Sequence, residues 1–359
     1  MVTGGYVKKI ILTGGGTGGH VIPALILIEP LIKQSYEVHY IGSHSGIERK
    51  LVTEVGLKYY PISTGKLRRY IDKKNIADML RVVKGIKEAL SIIKKIRPTV
   101  VFSKGGFVSV PVVIAAWLCK VPVIIHESDI TMGLANKIAI KFAKCICTTW
   151  EETKGKNIIL TGTPIRKEIT KGTKEKGKQL AKITNNMPTL LIMGGSSGSV
   201  AINNAIRNIL PIILQTFNVI HICGKGNLSN ENFNDKKYAT YKQYEFVTEE
   251  LPHFFALCDL VISRSGANAL QEFLYLKKPS LLIPLPKSVS RGDQVQNAHS
   301  FKRDGYSIVL NEESLTNELL LKNINELYKN KNEYEERLKT YKTKDAVSEI
   351  IKVINKIAK

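Results

Sequence analysis

Cysteine, aromatic side chains, acidic charge and long apolar runs are all scarce in this chain of 359 residues. The five cysteines, Cys119, Cys145, Cys147, Cys223 and Cys258, are odd in number, lie in apolar segments and include no matched Cys-x-x-Cys pairs. That excludes a disulfide framework or zinc ribbon and predicts reduced, structural thiols with no metal site. Aromatic residues make up only 7% of the chain, and no helix-turn-helix, zinc or RNA-binding signature is present. No nucleic acid is therefore expected to answer the net charge of +22. The longest apolar stretch, 108–118, is interrupted by Pro111. It falls short of the ~18 to 20 residues a bilayer span needs. The run Ile10-Ile11-Leu12 is too short for a secretory signal and breaks into glycines, so a soluble or peripheral cytoplasmic protein is expected.

Glycine is plentiful where it counts. Directly after that apolar run comes Thr13-Gly14-Gly15-Gly16-Thr17-Gly18-Gly19-His20. A strand turning through glycines into a helix exposes backbone N–H groups at the positive end of the helix dipole, where phosphate oxygens settle. An imidazole just behind such a loop adds a candidate general base. The pattern also matches the dinucleotide fingerprint, which calls for an acid at the end of the second strand to hold a ribose. Here that strand, Val38-His39-Tyr40-Ile41-Gly42, runs into Ser43-His44-Ser45, and the acid is missing.

Apolar, β-branched runs alternate with amphipathic stretches twice along the chain, the signature of parallel sheets with crossover helices. Strands are expected at 9–12, 38–41, 59–62, 99–103, 121–126, 145–148 and 158–160, then at 189–193, 219–223, 244–247, 260–263, 280–284 and 307–310. The Lys-, Thr- and Gly-rich segment 167–186 reads as a linker with an exposed first helix. Three parts follow: a Rossmann-like domain over 1–165, a second over 166–340, and a C-terminal helix, 341–359, expected to pack back on the first. Ligands of open parallel sheets bind beyond the carboxyl ends of the strands, so two such rims predict a deep cleft between hinged domains.

The second half carries its own loop, Gly194-Gly195-Ser196-Ser197-Gly198, a second anion site on the same grounds. After Ser263-Arg264-Ser265-Gly266-Ala267-Asn268 a helix begins, with Glu272 about one and a half turns inside. A carboxylate there can accept hydrogen bonds from both hydroxyls of a ribose. Gly292-Asp293-Gln294 follows Pro284-Leu285-Pro286 and adds groups suited to sugar hydroxyls. Together these describe a nucleotide-sugar site.

Basic residues crowd between Lys66 and Lys104. Along the helix expected over 75–96, Ile76, Met79, Leu80, Val83, Ile86, Leu90 and Ile93 keep helical spacing while lysines fill the other face. That is how a helix lies on an anionic membrane surface, and equally how one packs on a sheet with its lysines solvated. The residues Arg68, Arg69, Lys73, Lys74, Ile76, Met79, Leu80 and Val83 form the candidate patch.

The ordered motifs, including also Lys104-Gly105-Gly106-Phe107-Val108-Ser109, His126-Glu127-Ser128-Asp129, Gly162-Thr163-Pro164-Ile165-Arg166 and Asp293-Gln294-x-x-Asn297, resemble those of the MurG family of N-acetylglucosaminyltransferases, glycosyltransferase family 28. The resemblance spans the chain and departs from the family pattern at Ser197 and Asp129. It implies a GT-B fold, two doubly wound domains facing across a cleft, with no cofactor. The implied partners are UDP-N-acetylglucosamine, lipid I (an undecaprenyl-pyrophosphoryl-muramyl pentapeptide) and the anionic inner face of the bacterial cell membrane. It implies inverting transfer to the muramyl C4 hydroxyl, giving lipid II for the cell wall. Carried over, Ser196 and Arg166 would contact the diphosphate, the Val247 main chain the uracil, Glu272 the ribose, and Ala267, Asn268 and Gln294 the sugar. Thr17, Gly18 and Gly19 would lie near the transferred sugar and the acceptor pyrophosphate. The base is expected to be His20, with Asp129 and Glu127 as rivals. Other GT-B enzymes, a diacylglycerol glycosyltransferase or a UDP-N-acetylglucosamine 2-epimerase, stay as alternatives, and a non-enzymatic peripheral nucleotide-binding protein is a distant one.

Overall fold

The computed structural model describes residues 7–65, 74–153, 155–195, 197–229 and 238–358, without the side chains of 74–76. The chain divides into two compact units, Met1–Ile165 with Lys344–Lys359, and Arg166–Thr343.

The first unit is built on seven parallel strands: β1 (Lys8–Thr13), β2 (Tyr36–Ser43), β3 (Lys58–Ile62), β4 (Val100–Ser103), β5 (Val123–Glu127), β6 (Cys145–Thr148) and β7 (Ile158–Leu160). Their order is β3-β2-β1-β4-β5-β6-β7. Central strands buried on both faces must be apolar throughout, which is why Ile10, Ile11 and Leu12 are all fully buried. Ile10 and Leu12 join the core shared with the helix Ala346–Ile357, through Ile350, Ile351 and Ile354. Ile11 faces the other core, under the helices Lys74–Ile96 and Ser109–Leu118.

The second unit repeats the plan with β8 (Thr189–Met193), β9 (Asn218–Ile222), β10 (Tyr241–Tyr244), β11 (Leu260–Ser263), β12 (Ser280–Leu282) and β13 (Ser307–Val309). Here the order is β10-β9-β8-β11-β12-β13, so both sheets reverse direction beside their first strand, between β1 and β4 and between β8 and β11. Such switch points open a crevice at the carboxyl ends of the strands.

One strand lies earlier than its apolar pattern predicts. β10 ends at Tyr244; Val247 lies beyond it and Phe246 is 66% exposed. As an edge strand β10 needs only Tyr241 in the core, so Lys242 and Gln243 are tolerated in the ladder and Phe-Val was the wrong cue.

Candidate functional site

In the first unit the glycine loop leaves β1 and opens the helix Gly18–Leu25, which carries His20 in its first turn. Tyr40 on β2 donates to the Gly14 carbonyl at 2.8 Å, fixing the loop's start. The loop after β4 packs directly on it. A Cβ at Gly106 would lie 2.2 Å from the Gly15 carbonyl oxygen and 3.1 Å from His20 Cδ2, while one at Gly16 would lie 2.6 Å from the Phe107 ring. Only glycines allow this approach, so two motifs about ninety residues apart in sequence meet around His20. His20 is partly exposed; Thr17 and Gly19 are exposed at the rim.

The His126-Glu127-Ser128-Asp129 loop follows β5. Glu127 is 4% exposed, and both carboxylate oxygens are occupied. Oε1 accepts from the Asp129 amide at 3.0 Å; Oε2 accepts from the Gly133 amide at 2.9 Å and from Asn136 Nδ2 at 3.0 Å. A carboxylate so satisfied shapes its own loop. His126 is also enclosed: Nε2 donates to the Gly162 carbonyl at 2.8 Å, and burial holds its pKa well below the usual imidazole range. Asp129 is half-buried beside them. Lys104, at the end of β4, is fully enclosed; burial lowers its amine to about 8, opposed by the charges of Glu127 and Asp129, and it donates to the Ser128 hydroxyl.

In the second unit the loop after β8 leads to the helix Val200–Ile213, whose start is capped by Ser199 Oγ accepting from the Ile202 amide at 3.3 Å. Arg264 holds that cap, donating to Ser199 Oγ at 2.7 Å and to the carbonyls of Ile283 and Pro284 at 3.1 and 3.2 Å, with Glu312 as its ion-pair partner. Gly198 packs so closely on the Cys223 carbonyl that an added Cβ would lie 1.9 Å from it, whereas above Gly195 there is open space. Ser196 lies outside the described residues.

Glu272 stands in the helix Ala267–Leu276 and is partly exposed. Burial of its carboxyl raises the pKa to about 7, with the Arg166 guanidinium pulling the other way. Arg166 and Glu272, over a hundred residues apart, therefore feel one another's charge. Ala267 is buried at the start of the same helix and Asn268 follows it half-buried. The Gln294 side-chain oxygen accepts from the Leu285 amide at 3.1 Å, and its main-chain carbonyl accepts from the Ser265 hydroxyl at 2.8 Å. Val247 is buried.

The sequence reading passed over Glu48, Arg264 and Lys104 as site residues. Their signal was the one they share: a charged residue adjacent to or inside an apolar or glycine-rich run, which a protein buries only for a partner. Among the described residues no group of three or more His, Cys, Asp or Glu side chains is placed to hold a metal ion.

Two parallel sheets of one topology, each with a glycine loop at its switch point, make up the GT-B fold, the fold of a large class of sugar-nucleotide enzymes. The descriptions "Glycosyltransferase family 28 N-terminal domain" and "Glycosyltransferase family 28 C-terminal domain" match residues 10–148 and 189–354. The chain belongs to glycosyltransferase family 28. It is 53% identical over 357 residues to the UDP-N-acetylglucosamine--N-acetylmuramyl-(pentapeptide) pyrophosphoryl-undecaprenol N-acetylglucosamine transferase of Clostridium botulinum (strain 657 / Type Ba4), covering 98% of this chain and 100% of that protein. The enzyme of the same description from Clostridium tetani (strain Massachusetts / E88) is 52% identical over 97% of this chain and 98% of its own length. Among solved structures, that of Acinetobacter baumannii MurG aligns with a TM-score of 0.77 at 23% identity, covering 97% of this chain and 99% of that one. The UDP-GlcNAc 2-epimerase of Neisseria meningitidis aligns at 0.67 and 14%, covering 97% and 100%, a likeness of fold alone.

Proposed function

We infer that this chain transfers N-acetylglucosamine from UDP-N-acetylglucosamine to the muramyl sugar of lipid I, giving lipid II for peptidoglycan synthesis. The observation that carries this is end-to-end identity of 51–53% with enzymes named for that transfer, over 98% of the chain. An epimerase or another GT-B enzyme shares the fold but not this identity.

The residues support a direct, inverting displacement. His20 takes the proton of the acceptor C4 hydroxyl as that oxygen attacks the anomeric carbon, and the bond to UDP breaks on the opposite face. Charge developing on the leaving diphosphate meets the start of the helix Val200–Ile213 and Arg166, while Glu272 holds the ribose. Ser196, Val247, Ala267, Asn268 and Gln294 complete the donor site, and Thr17, Gly18 and Gly19 border the acceptor. Asp129 remains the rival base; the three donors on Glu127 favour a loop-shaping role for that residue.

We further propose peripheral attachment to anionic lipid. No helix among the described residues is long and apolar enough to cross a membrane. Met79, Leu80 and Val83, on the first half of the helix Lys74–Ile96, are 60%, 67% and 47% exposed, whereas Ile93 farther along is buried. The apolar stripe thus splits into an outward part and a core part. Arg68, Arg69 and Lys73 lie outside the described residues, as do the side chains of Lys74 and Ile76.

The test is UDP release from UDP-N-acetylglucosamine with and without a soluble lipid I analogue, with the product weighed by mass spectrometry. Acceptor-dependent release with a disaccharide product is expected. Release without acceptor, or conversion of the donor to an epimer, overturns the reading.

A further inference from the structure

Glu48 has no part in the chemistry above, yet it is fully buried and turned toward the first glycine loop. It stands in the first turn of the helix Ile47–Glu54, where a negative charge meets the helix's positive end. Its Oε2 accepts from the Gly16 amide at 3.2 Å. Its Oε1 accepts from the Ser43 amide at 3.1 Å and from the Ser43 hydroxyl, which itself accepts from the Gly46 amide at 2.9 Å. Both loops are shaped to admit this carboxylate. A Cβ at Gly15 would lie 2.6 Å from the carboxyl carbon, one at Gly46 2.1 Å from Oε1, and one at Gly42 3.0 Å from Cγ.

The acid sought at the end of β2 therefore exists five residues beyond the strand, but it points inward onto protein donors and not outward to a ribose. Its charge reaches the buried phenol of Tyr40 and the half-buried phenol of Tyr59, helping desolvation to push both above the ordinary range. Tyr40 and Tyr59 stack on one another and hold the same two loops, through the carbonyls of Gly14 and Ser43. Phe107 and Gly106 press on the glycine loop as well. The loop is thus clamped between a ring and a carboxylate, four residues before His20.

We propose that Glu48 is a positioning residue for the transfer reaction: by capping the Gly16 amide it fixes the first glycine loop and, through it, the reach of His20 toward the acceptor hydroxyl. This rests on the assignment of His20 as the base. A buried carboxylate held by amide and hydroxyl donors gives them up only at the cost of desolvated, unpaired groups, so the loop has one arrangement and not several.

Glu48→Gln isolates this role. Glutamine keeps the shape and one acceptor oxygen but sets an NH2 group against either the Gly16 or the Ser43 amide. We expect kcat with a soluble lipid I analogue to fall at least tenfold, while the UDP-N-acetylglucosamine Kd, measured by calorimetry, stays within twofold. In a His20→Ala background the same substitution should change kcat less than twofold, since the two act as one unit. An unchanged kcat in Glu48→Gln, or an undiminished effect in the His20→Ala background, overturns the proposal. If Glu48→Gln does not fold, the Gly16 amide of the wild-type protein decides. Exchange at least tenfold slower than at Gly195, equally exposed but without that carboxylate, supports the tether, and equal rates overturn it. A wild-type protein that shows no acceptor-dependent UDP release would overturn the functional reading instead, leaving the exchange result to judge the tether separately.

Discussion

The two glycine loops are near twins in sequence and opposites in what stands behind them. Behind the first is a carboxylate, Glu48, bonded to the loop's own Gly16 amide. Behind the second is a guanidinium, Arg264, holding the Ser199 cap of the following helix. Both Gly16 and Gly195 are exposed, but a Cβ on Gly16 would meet the Phe107 ring at 2.6 Å, whereas nothing lies within 4 Å of a Cβ on Gly195. One backbone solution thus serves two purposes. A loop tethered by a carboxylate and packed on a ring suits holding a side chain in place, and a loop with open space above it and a guanidinium behind suits receiving an anion.

If that contrast is right, the largest effect belongs to the closed loop. His20→Ala should lower kcat by roughly 10²-fold or more and leave donor affinity nearly unchanged, as for a base that touches only the acceptor. Steady-state kinetics with donor calorimetry check it; parallel losses in turnover and donor binding would make His20 a structural residue. A pH–rate profile unaltered in the residual activity would move the base to Asp129 or Glu127.

The open loop's partner comes next. Glu272→Ala should raise the donor Kd by roughly ten- to a hundredfold, since losing charge-assisted hydrogen bonds from a diol costs on the order of 1.5 to 3 kcal/mol. The wild type carries a pH signature of the same contact. With its pKa raised to about 7, Glu272 is increasingly protonated below that pH and loses one acceptor site. Donor affinity should therefore level off above pH 7 and fall below it, by at most tenfold per unit, and Glu272→Gln should flatten the curve. A wild-type affinity that is flat from pH 6 to 8 breaks the ribose assignment.

A smaller difference separates packing from backbone strain. Gly16 and Gly195 both have positive φ, +88° and +90°, so alanine is strained by a similar amount at each. Only at Gly16 does the new methyl group also meet a ring, at 2.6 Å. Gly16→Ala should thus destabilise the protein by about 1 to 3 kcal/mol more than Gly195→Ala in denaturant unfolding. Equal losses would mean that Phe107 moves aside freely. Last, each single Ala substitution at Arg68, Arg69 or Lys73 should weaken binding to anionic vesicles by about fivefold, roughly 1 kcal/mol per charge. Co-sedimentation indifferent to those changes and to salt would return the basic stretch to a solvated face.

The parts that were legible and those that were not divide along physical lines. Strands buried on both faces declare themselves, because the enclosed parts of β1, β4, β8 and β11 are unbroken apolar runs, 10–12, 100–102, 190–192 and 260–262. The edge strand β10 did not, since Tyr241 alone enters the core and Phe246, which looked like core, is exposed. Glycine loops were legible for the same reason as central strands: few other residues can occupy them. Glu127 was legible as a motif, but the donors that occupy it were not, because they come from Asp129, Gly133 and Asn136, a ring closed only by the turn after β5.

By itself the sequence determined the class of fold, the two glycine loops and the family, because periodicity and glycine spacing are local properties of the chain. Tertiary structure alone decided which charged groups face those loops. Glu48 and Gly16 are thirty-two residues apart, Arg264 and Ser199 sixty-five, and Arg166 and Glu272 more than a hundred. Parallel strands with crossover helices bring such residues to one sheet edge from distant parts of the chain. Whether a buried charge there is a clamp, a cap or a ligand-binding group depends on the donors and acceptors it meets, which no spacing in the sequence encodes.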